Sequence, residues 1–330
     1  MNGQQRLRVA FLGSGEFGVP TLEALGAAHD VVLVISQPDR PAGRGRRSAA
    51  TPISARVLED QSRADGLFAK TALVRTDDVN APAVLSQIAD LQIEAMVVIA
   101  FGQKLGATLL DGRFAVNLHA SLLPRWRGAA PINRAMMAGD LETGVSVISL
   151  AERMDAGEVH AMRSTPIDPA ETAGELHDRL ARLGVEPVLE VLDRWRARLV
   201  KSVTQDELSA TPAAKLSKSE ATVDFAAPSS LVRGQIHGLV PWPGCQVDAV
   251  SPDGRSQVLR IHRVQEMAEW TGGPPGAVSD GGVVGCETGS VRLLEVQVPG
   301  GRAMPWEDLQ RGRPFPDGTM LRPRSAGTSA

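Results

Sequence analysis

Short apolar runs alternate with helical patterns through the first half of the chain. Runs rich in branched side chains predict buried strands at LRVAFLG (7–13), VVLVIS (31–36), EAMVVIAFG (94–102) and FAVNLHA (114–120). Helices are predicted at VPTLEALGAA (19–28), after the first of these strands, and at ISARVLEDQSRA (53–64), after the second. Strands that are almost continuously apolar and separated by helices indicate a parallel sheet covered on both faces.

The second half of the chain has a different pattern. Apolar residues from Ala173 to Leu199 predict one long or broken helix that closes the first domain, with Pro187 as a candidate for a kink. Polar sequence up to about residue 220 is typical of a linker, and the short apolar runs after it, broken by Gly and Pro, predict a small antiparallel barrel. We therefore predict an α/β protein with a Rossmann-like domain and a parallel-rich sheet at 1–203. Residues 204–330 are predicted to form the linker, a small OB-like β-barrel and a disordered tail over the last dozen residues.

Composition places the chain among ordinary folded proteins. Its 330 residues exceed the length at which single cores usually stop growing, so two domains are expected. There is no apolar run of 18 residues and no signal-peptide pattern, so we expect a cytoplasmic protein that has no membrane partner. The net charge of −3 means that any binding to nucleic acid must come from local basic patches. Cys245 and Cys286 lack metal-ligand spacing and are predicted to be buried, inert thiols, with no metal site.

A glycine motif after the first strand is typical of dinucleotide-binding proteins. Residues 13–18 read GSGEFG, and Asp39 follows the second strand. The basic stretch RPAGRGRR directly after Asp39 disfavours an adenosine pocket, and nothing later in the chain resembles a dehydrogenase site. We therefore expect these glycines to form a tight turn, and no nicotinamide cofactor to bind.

The segment VNLHASLLPRWRGAAP (116–131) carries the candidate chemistry. Asn117 and His119 are two residues apart on a strand, so they face the same way, near the carboxyl end where open α/β sheets bind ligands. Acyl transfer to an amine needs a hydrogen-bond donor for the carbonyl oxygen and a base for the amine proton, and an amide and an imidazole supply these. Asp155, in ERMDAGE (152–158), is a candidate to orient the imidazole. The alternative interpretation is that these residues are satisfied polar groups at the end of a sheet.

The run NLHASLLPRWRGAAPINRA, with MDAGE after it, resembles the active-site segment of the folate-dependent formyltransferases. The similarity extends through RVAFLGSGEFGVPTLEAL, QPDRPAGRGRR and KLSK to about residue 315, and it is strongest to the members that act on methionyl-tRNA. The resemblance implies that Asn117, His119 and Asp155 are catalytic. It also implies transfer of the formyl group of 10-formyltetrahydrofolate to the amine of methionyl-initiator tRNA, for translation initiation.

The same resemblance implies the binding residues. The folate is expected to contact the loop residues Ser121, Leu122, Leu123 and Pro124 and the backbone near Phe101 and Gly102. The tRNA is expected to contact the basic loop and the linker, through Arg40, Arg44, Arg46, Arg47, Lys215 and Lys218. The chain departs from the family in reading GSGEF after its first strand, and in carrying Phe101 where the family has a tyrosine.

Other functions remain open on the sequence alone. The same transfer to an amino sugar nucleotide, to glycinamide ribonucleotide or to water is the nearest alternative. A non-catalytic tRNA-binding protein and a nicotinamide oxidoreductase are the others. From residue 206 onward the chain has 12 Lys and Arg against 14 Asp and Glu, so a basic face there requires segregated charge. We expect a monomer, because the sequence marks no large apolar patch.

Overall fold

The computed structural model describes residues 6–42, 47–267 and 273–324. Contacts group the chain into two compact units. The first contains Met1–Arg125, Gly144–Ser164 and Asp178–Ala210, and the second contains Trp126–Thr143, Thr165–His177 and Thr211–Ala330. Each unit combines three separate segments of the chain, so the units do not test a single domain boundary. The predicted division after residue 203 stays a prediction.

The elements of both units are numbered along the chain. The strands are β1 (Arg8–Gly13), β2 (Asp30–Ser36), β3 (Arg40–Ala42), β4 (Arg47–Ala49), β5 (Ala72–Arg75), β6 (Ala95–Ile99), β7 (Phe114–His119), β8 (Arg127–Gly128), β9 (Glu142–Ser149), β10 (Val159–Pro166), β11 (Pro212–Ala213), β12 (Cys245–Val250), β13 (Ser256–Met267), β14 (Val283–Gly285), β15 (Ser290–Gln297), β16 (Met304–Pro305) and β17 (Met320–Pro323). The helices are α1 (Val19–Ala28), α2 (Pro52–Gln61), α3 (Pro82–Ala89), α4 (Ala107–Leu110), α5 (Pro131–Met137), α6 (Ala173–Leu183), α7 (Val185–Arg196), α8 (Ser229–Gly238) and α9 (Trp306–Gly312).

A seven-stranded sheet organises the first unit. Its strand order is β10-β9-β7-β6-β1-β2-β5. Pairing is parallel from β7 through β6, β1 and β2 to β5, and antiparallel between β7 and β9. The apolar runs predicted as strands form β1, β2, β6 and β7, whose side chains are mostly buried, so the predicted Rossmann-like, parallel-rich sheet is confirmed. Strands β2 and β6 lie on opposite sides of β1, so the direction of the strand order changes there. Open α/β sheets bind ligands at the carboxyl ends of the strands beside such a change, which here are β1, β6 and β7.

The helical stretch predicted from 173 to 199 is broken, as one of the two alternatives allowed: two helices meet at Gly184, so the break lies before Pro187 rather than at it. Proline lacks an N–H and clashes with the carbonyl four residues earlier, which here belongs to Leu183, the last residue of α6. Pro187 is tolerated in the first turn of α7, so the break falls upstream of it. A Cβ at Gly184 would lie 2.4 Å from the side chain of Leu118 in β7, so the break also lets the helix approach the sheet closely.

The second unit contains an antiparallel sheet that closes into a barrel, as predicted. Its strand order is β14-β15-β13-β12-β17, and β16 also pairs with β15. The segment 276–278 joins the two edges: the N–H of Gly276 donates to Gly285 O in β14, and the carbonyl of Gly276 accepts from Leu321 N in β17. Strand β17 therefore uses residues from the predicted disordered tail, whereas residues 325–330 lie outside the described part of the chain.

The barrel core contains aliphatic side chains together with Trp306, which is 1% exposed and stacks on Phe315. Both cysteines are buried free thiols, and burial raises the pKa of each to about 12, as the prediction of inert thiols requires. The buried His237 accepts a hydrogen bond from Val264 N at 3.0 Å, and burial lowers its pKa to about 4. Across the described residues, no helix combines the length and apolar character needed to span a membrane.

Candidate active site

Strand β7 carries two of the three predicted catalytic residues on one face. Asn117 and His119 alternate with Leu118, which is buried and points to the opposite face. In the antiparallel pairing with β9, His119 lies directly opposite Ser146, so these two side chains share a face. Asn117 is partly exposed, whereas His119 is 6% exposed. The amide is therefore open to a substrate at the carboxyl edge of the sheet, and the imidazole is held in a mostly buried position.

Asp155 comes to the imidazole from the loop between β9 and β10. Its Oδ2 lies 3.7 Å from His119 Nδ1. This distance is too long for a hydrogen bond, but both side chains are largely buried, where opposite charges are poorly screened. The ring is oriented with Nδ1 toward the carboxylate. His119 and Asp155, which are 36 positions apart in the sequence, were predicted to lie together, and the structure places them side by side.

The loop that carries Asp155 is tightly constrained. Asp155 has φ +54°, a left-handed conformation that costs a residue with a side chain about 1–2 kcal/mol. Two residues later, a Cβ at Gly157 would lie 1.8 Å from Ser149 O, so only glycine fits there. Ser149 N also donates to Glu158 O at 2.9 Å. The D-x-G spacing of the motif thus has a packing cause, because the glycine lets the loop lie against the end of β9.

The predicted folate-binding loop after β7 is held by a buried serine of β9. Ser146 Oγ donates to Ser121 O at 2.7 Å and accepts from Leu123 N at 3.1 Å. Ser121 has no exposed surface, and its hydroxyl donates to Arg125 O, while Leu123 is 5% exposed. Leu122 and Pro124 are partly exposed. Sequence reasoning missed Ser146, although a polar residue within the apolar run VSVIS signals a buried hydrogen bond.

The end of β6 lies beside the end of β7, since Val98 pairs with Asn117 in parallel register. Phe101 is 2% exposed, so its side chain belongs to the core, and its carbonyl accepts from Gln37 Nε2 at 2.9 Å. Gly102 follows at φ +77° and is exposed. Of the two predicted backbone positions, Gly102 is the one open to a ligand. The Phe101 carbonyl already has a partner.

Two of the four predicted tRNA-binding arginines, Arg40 and Arg47, belong to a small hairpin. Strands β3 and β4 pair antiparallel, with Arg40 opposite Ala49. Arg40 is exposed and donates to Gln37 Oε1, which connects the base of the hairpin to the end of β6. Arg44 and Arg46 lie outside the described residues, and only the backbone of Arg47 is described, in β4.

Lys215 and Lys218, the lysines of the linker motif, belong to the second unit, and both are exposed. Between them Leu216 is buried, and the following Glu220 pairs with Arg134 at 2.5 Å, which holds its pKa low. The linker here is a folded segment whose lysine side chains point to solvent.

Two of the three glycines of GSGEFG have packing roles. A Cβ at Gly13 would lie 2.7 Å from Ile99 O, and one at Gly18 would lie 2.9 Å from the ring of Phe11. Asp39, which the dinucleotide interpretation would assign to a ribose, receives the guanidinium of Arg75 on both carboxylate oxygens at 2.9 Å. These contacts support the prediction that the motif is structural.

Two family models match consecutive parts of the chain. The model for formyl transferase matches residues 7–192, and the model for the formyl transferase C-terminal domain matches residues 215–314. Curated relatives include a methionyl-tRNA formyltransferase of Cereibacter sphaeroides, 38% identical over 95% of this chain and 98% of the relative. Another, from Roseobacter denitrificans, is 40% identical over 97% of this chain and the whole of the relative.

Solved structures share the fold. The sugar 3N-formyl transferase WlaRD, determined with dTDP and 5-N-formyl-THF, has a TM-score of 0.65 over 91% of this chain and all of its own, at 15% identity. An N-formyltransferase from Helicobacter canadensis, in complex with folinic acid and dTDP-3-aminofucose, has a TM-score of 0.63 over 87% of this chain and 98% of its own, at 16% identity. At these identities the structural likeness establishes the fold alone.

Proposed function

Because the chain belongs to the methionyl-tRNA formyltransferase family, we propose that it transfers the formyl group of 10-formyltetrahydrofolate to the amino group of methionyl-initiator tRNA. The product would serve translation initiation, and we place the reaction in the cytoplasm. The observation that carries the proposal is the His119–Asp155 pair beside Asn117 at the carboxyl edge of the sheet.

The reaction forms one bond and breaks another. The amine nitrogen attacks the formyl carbon, giving a tetrahedral centre whose oxygen carries negative charge. The amide of Asn117 donates a hydrogen bond to that oxygen, an effect worth about 2.7 to 4 kcal/mol in comparable sites. Collapse then breaks the bond between the formyl carbon and N10, and the electron pair leaves with tetrahydrofolate.

His119 is the proposed general base and general acid of the reaction. Its Nδ1 faces Asp155, so we assign the substrate proton to Nε2. The imidazole takes the proton from the attacking amine and returns it to the departing nitrogen, while the Asp155 carboxylate stabilises the charged intermediate form. The small exposure of His119 limits competition from water for that proton.

The binding assignments follow the family resemblance and stay proposals. The folate would lie against the loop that Ser146 braces, along Leu122 and Pro124, and against Gly102. The tRNA would contact the arginine hairpin, and Lys215 and Lys218 are exposed cations suited to phosphates. We keep the expectation of a monomer.

Purified enzyme and its His119→Ala and Asn117→Ala variants test the proposal. Formyl transfer from 10-formyltetrahydrofolate to charged initiator tRNA should fall by roughly 10² to 10⁴ in His119→Ala and by roughly 10² to 10³ in Asn117→Ala. The Gln61→Met variant, altered at a half-buried residue of α2, serves as the control and should keep its rate. Near-normal transfer by His119→Ala would overturn the mechanism. Faster formylation of an amino sugar nucleotide or glycinamide ribonucleotide would overturn the substrate.

A further inference from the structure

The first half of the predicted linker runs antiparallel along the loop that carries Asp155. Val203 and Val159 form an antiparallel backbone bridge, with hydrogen bonds of 2.9 Å in both directions. Side-chain contacts lie on both sides of it, from Ser202 to Glu158 (2.7 Å), from Gln205 to Gly157 and Asp155, and from Glu207 to Arg153 (3.0 Å). We name residues 202–207 the strap. All of it lies in the first unit, together with the loop.

Gln205 is the buried residue of the strap. Its side chain amide donates to Asp155 O at 2.8 Å and to Gly157 O at 2.6 Å, so both N–H groups hold the loop. The residue is 7% exposed. By contrast, the Arg153–Glu207 pair is 71% and 50% exposed on its two side chains, and such pairs contribute little to stability. Of these two side-chain contacts between the strap and residues 153–157, the one made by Gln205 is therefore the stronger constraint on the loop.

The two carbonyls that Gln205 binds flank the turn that sets the direction of the Asp155 side chain. Asp155 is in a left-handed conformation that its own side chain disfavours, and such conformations persist only where surrounding contacts impose them. One contact is the close approach of Gly157 to Ser149 on the β9 side. Gln205 supplies the contact on the opposite flank, directly at the peptide carbonyl of Asp155.

We propose that Gln205 is a positioning residue of the formyl transfer reaction, which fixes the Asp155 carboxylate against His119 without touching substrate. The inference rests on the proposed function, since it concerns the step that the His119–Asp155 pair performs. Loss of the two hydrogen bonds lets the turn relax to an ordinary conformation, which carries the carboxylate away from the imidazole.

Gln205→Met removes both donors and keeps the length of the side chain. We expect kcat to fall roughly tenfold to a hundredfold, the effect of misplacing a catalytic group by about 1 Å, with unchanged KM for folate and for tRNA. A double-mutant cycle identifies the route of this effect. The double variant Asp155→Asn, Gln205→Met should have the same kcat as Asp155→Asn alone.

Gln61→Met is the matched control. Gln61 also donates through one amide nitrogen to two backbone carbonyls, Phe68 O at 3.2 Å and Thr71 O at 2.8 Å, at the end of α2. The Gln61→Met substitution should lower the thermal midpoint of unfolding but leave kcat unchanged, both in the wild-type and in the Asp155→Asn background. If Gln205→Met does not fold, Gln205→Asn, which keeps the amide on a shorter side chain, enters the same cycle with the same expectation for coupling to Asp155.

The outcomes are distinct. A wild-type enzyme that formylates no methionyl-tRNA would refute the proposed function. An active wild type with normal kcat in Gln205→Met, or with an equal loss in both Asp155 backgrounds, would refute the positioning role alone. A loss that disappears in the Asp155→Asn background supports it.

Discussion

Substituting Gly157 by alanine tests whether the loop against β9 controls catalysis. The added Cβ would lie 1.8 Å from Ser149 O and 2.7 Å from Ser149 C, both of them backbone atoms of a paired strand. Cβ atoms essentially never come closer than 3.0 Å to such neighbours, so the loop must move by more than about 1 Å. Side-chain rotation offers no relief, because the obstacle is main chain.

The size of the effect follows from that displacement. Asp155 is two residues from the clash, and its carboxylate is 3.7 Å from the imidazole. A misplacement of about 1 Å in a catalytic constellation costs about a hundredfold in rate. This corresponds to about 2.7 kcal/mol of transition-state stabilisation. We expect Gly157→Ala to lose kcat on that scale while KM for tRNA stays constant.

The assay is single-turnover formylation of charged initiator tRNA, with the thermal midpoint measured on the same samples. Gly312→Ala is the control, since a Cβ there meets no atom within 4 Å. A Gly157→Ala enzyme that folds and transfers formyl groups at the wild-type rate would refute the reasoning that contact with Ser149 sets the position of Asp155.

Other expected outcomes concern tRNA, pH and the thiols. Arg44→Ala should raise KM for tRNA and leave folate binding intact. Equal KM values for tRNA in the wild type and the variant would reject the role of Arg44 in binding tRNA. His237 has its pKa lowered to about 4 by burial, against 6.5 in the unfolded chain, so its contribution to stability is present above pH 6.5 and is lost as the pH falls from 6.5 to 4. That loss is on the order of 3 kcal/mol, so the thermal midpoint of the wild type should fall more steeply over this range than that of His237→Gln, and parallel curves would contradict the assignment. Cys245 and Cys286, with pKa values raised to about 12 by burial, should resist a thiol reagent at pH 8 until denaturant is added, whereas labelling of the folded protein would show that a buried site opens.

Local patterns in the sequence predicted the elements whose residues carry their own signal. The strands β1, β2 and β6 consist mainly of apolar residues that are buried on both faces, and such runs are recognisable without knowledge of their partners. The two-residue spacing of Asn117 and His119 likewise follows from strand geometry alone. The broken helix was among the predicted alternatives, but the break lies at Gly184 rather than at Pro187, because the clash of a proline ring acts one turn before the proline itself.

Long-range contacts account for what the sequence did not reveal. Gln205 lies in a polar stretch that is typical of a linker, and its importance comes from carbonyls 48 and 50 residues earlier. Strand β17 looked like a tail, because only Leu321 of its four residues is deeply buried and its order depends on pairing with β12. Asp155 was found through its motif, since nothing in the local sequence indicates its left-handed backbone.

The closure of the barrel through residues 276–278 has a consequence for protein synthesis. Because Leu321 supplies one of the two edges that this segment joins, a ribosome must release residues beyond 321 before the barrel can close. A nonsense mutation ahead of Gly318 would leave β12 paired with β13 but without β17 on its other edge along Val247–Val250, an open edge that invites association with other chains. Such truncated products should therefore aggregate or be degraded, even though they contain every residue of the proposed catalytic site.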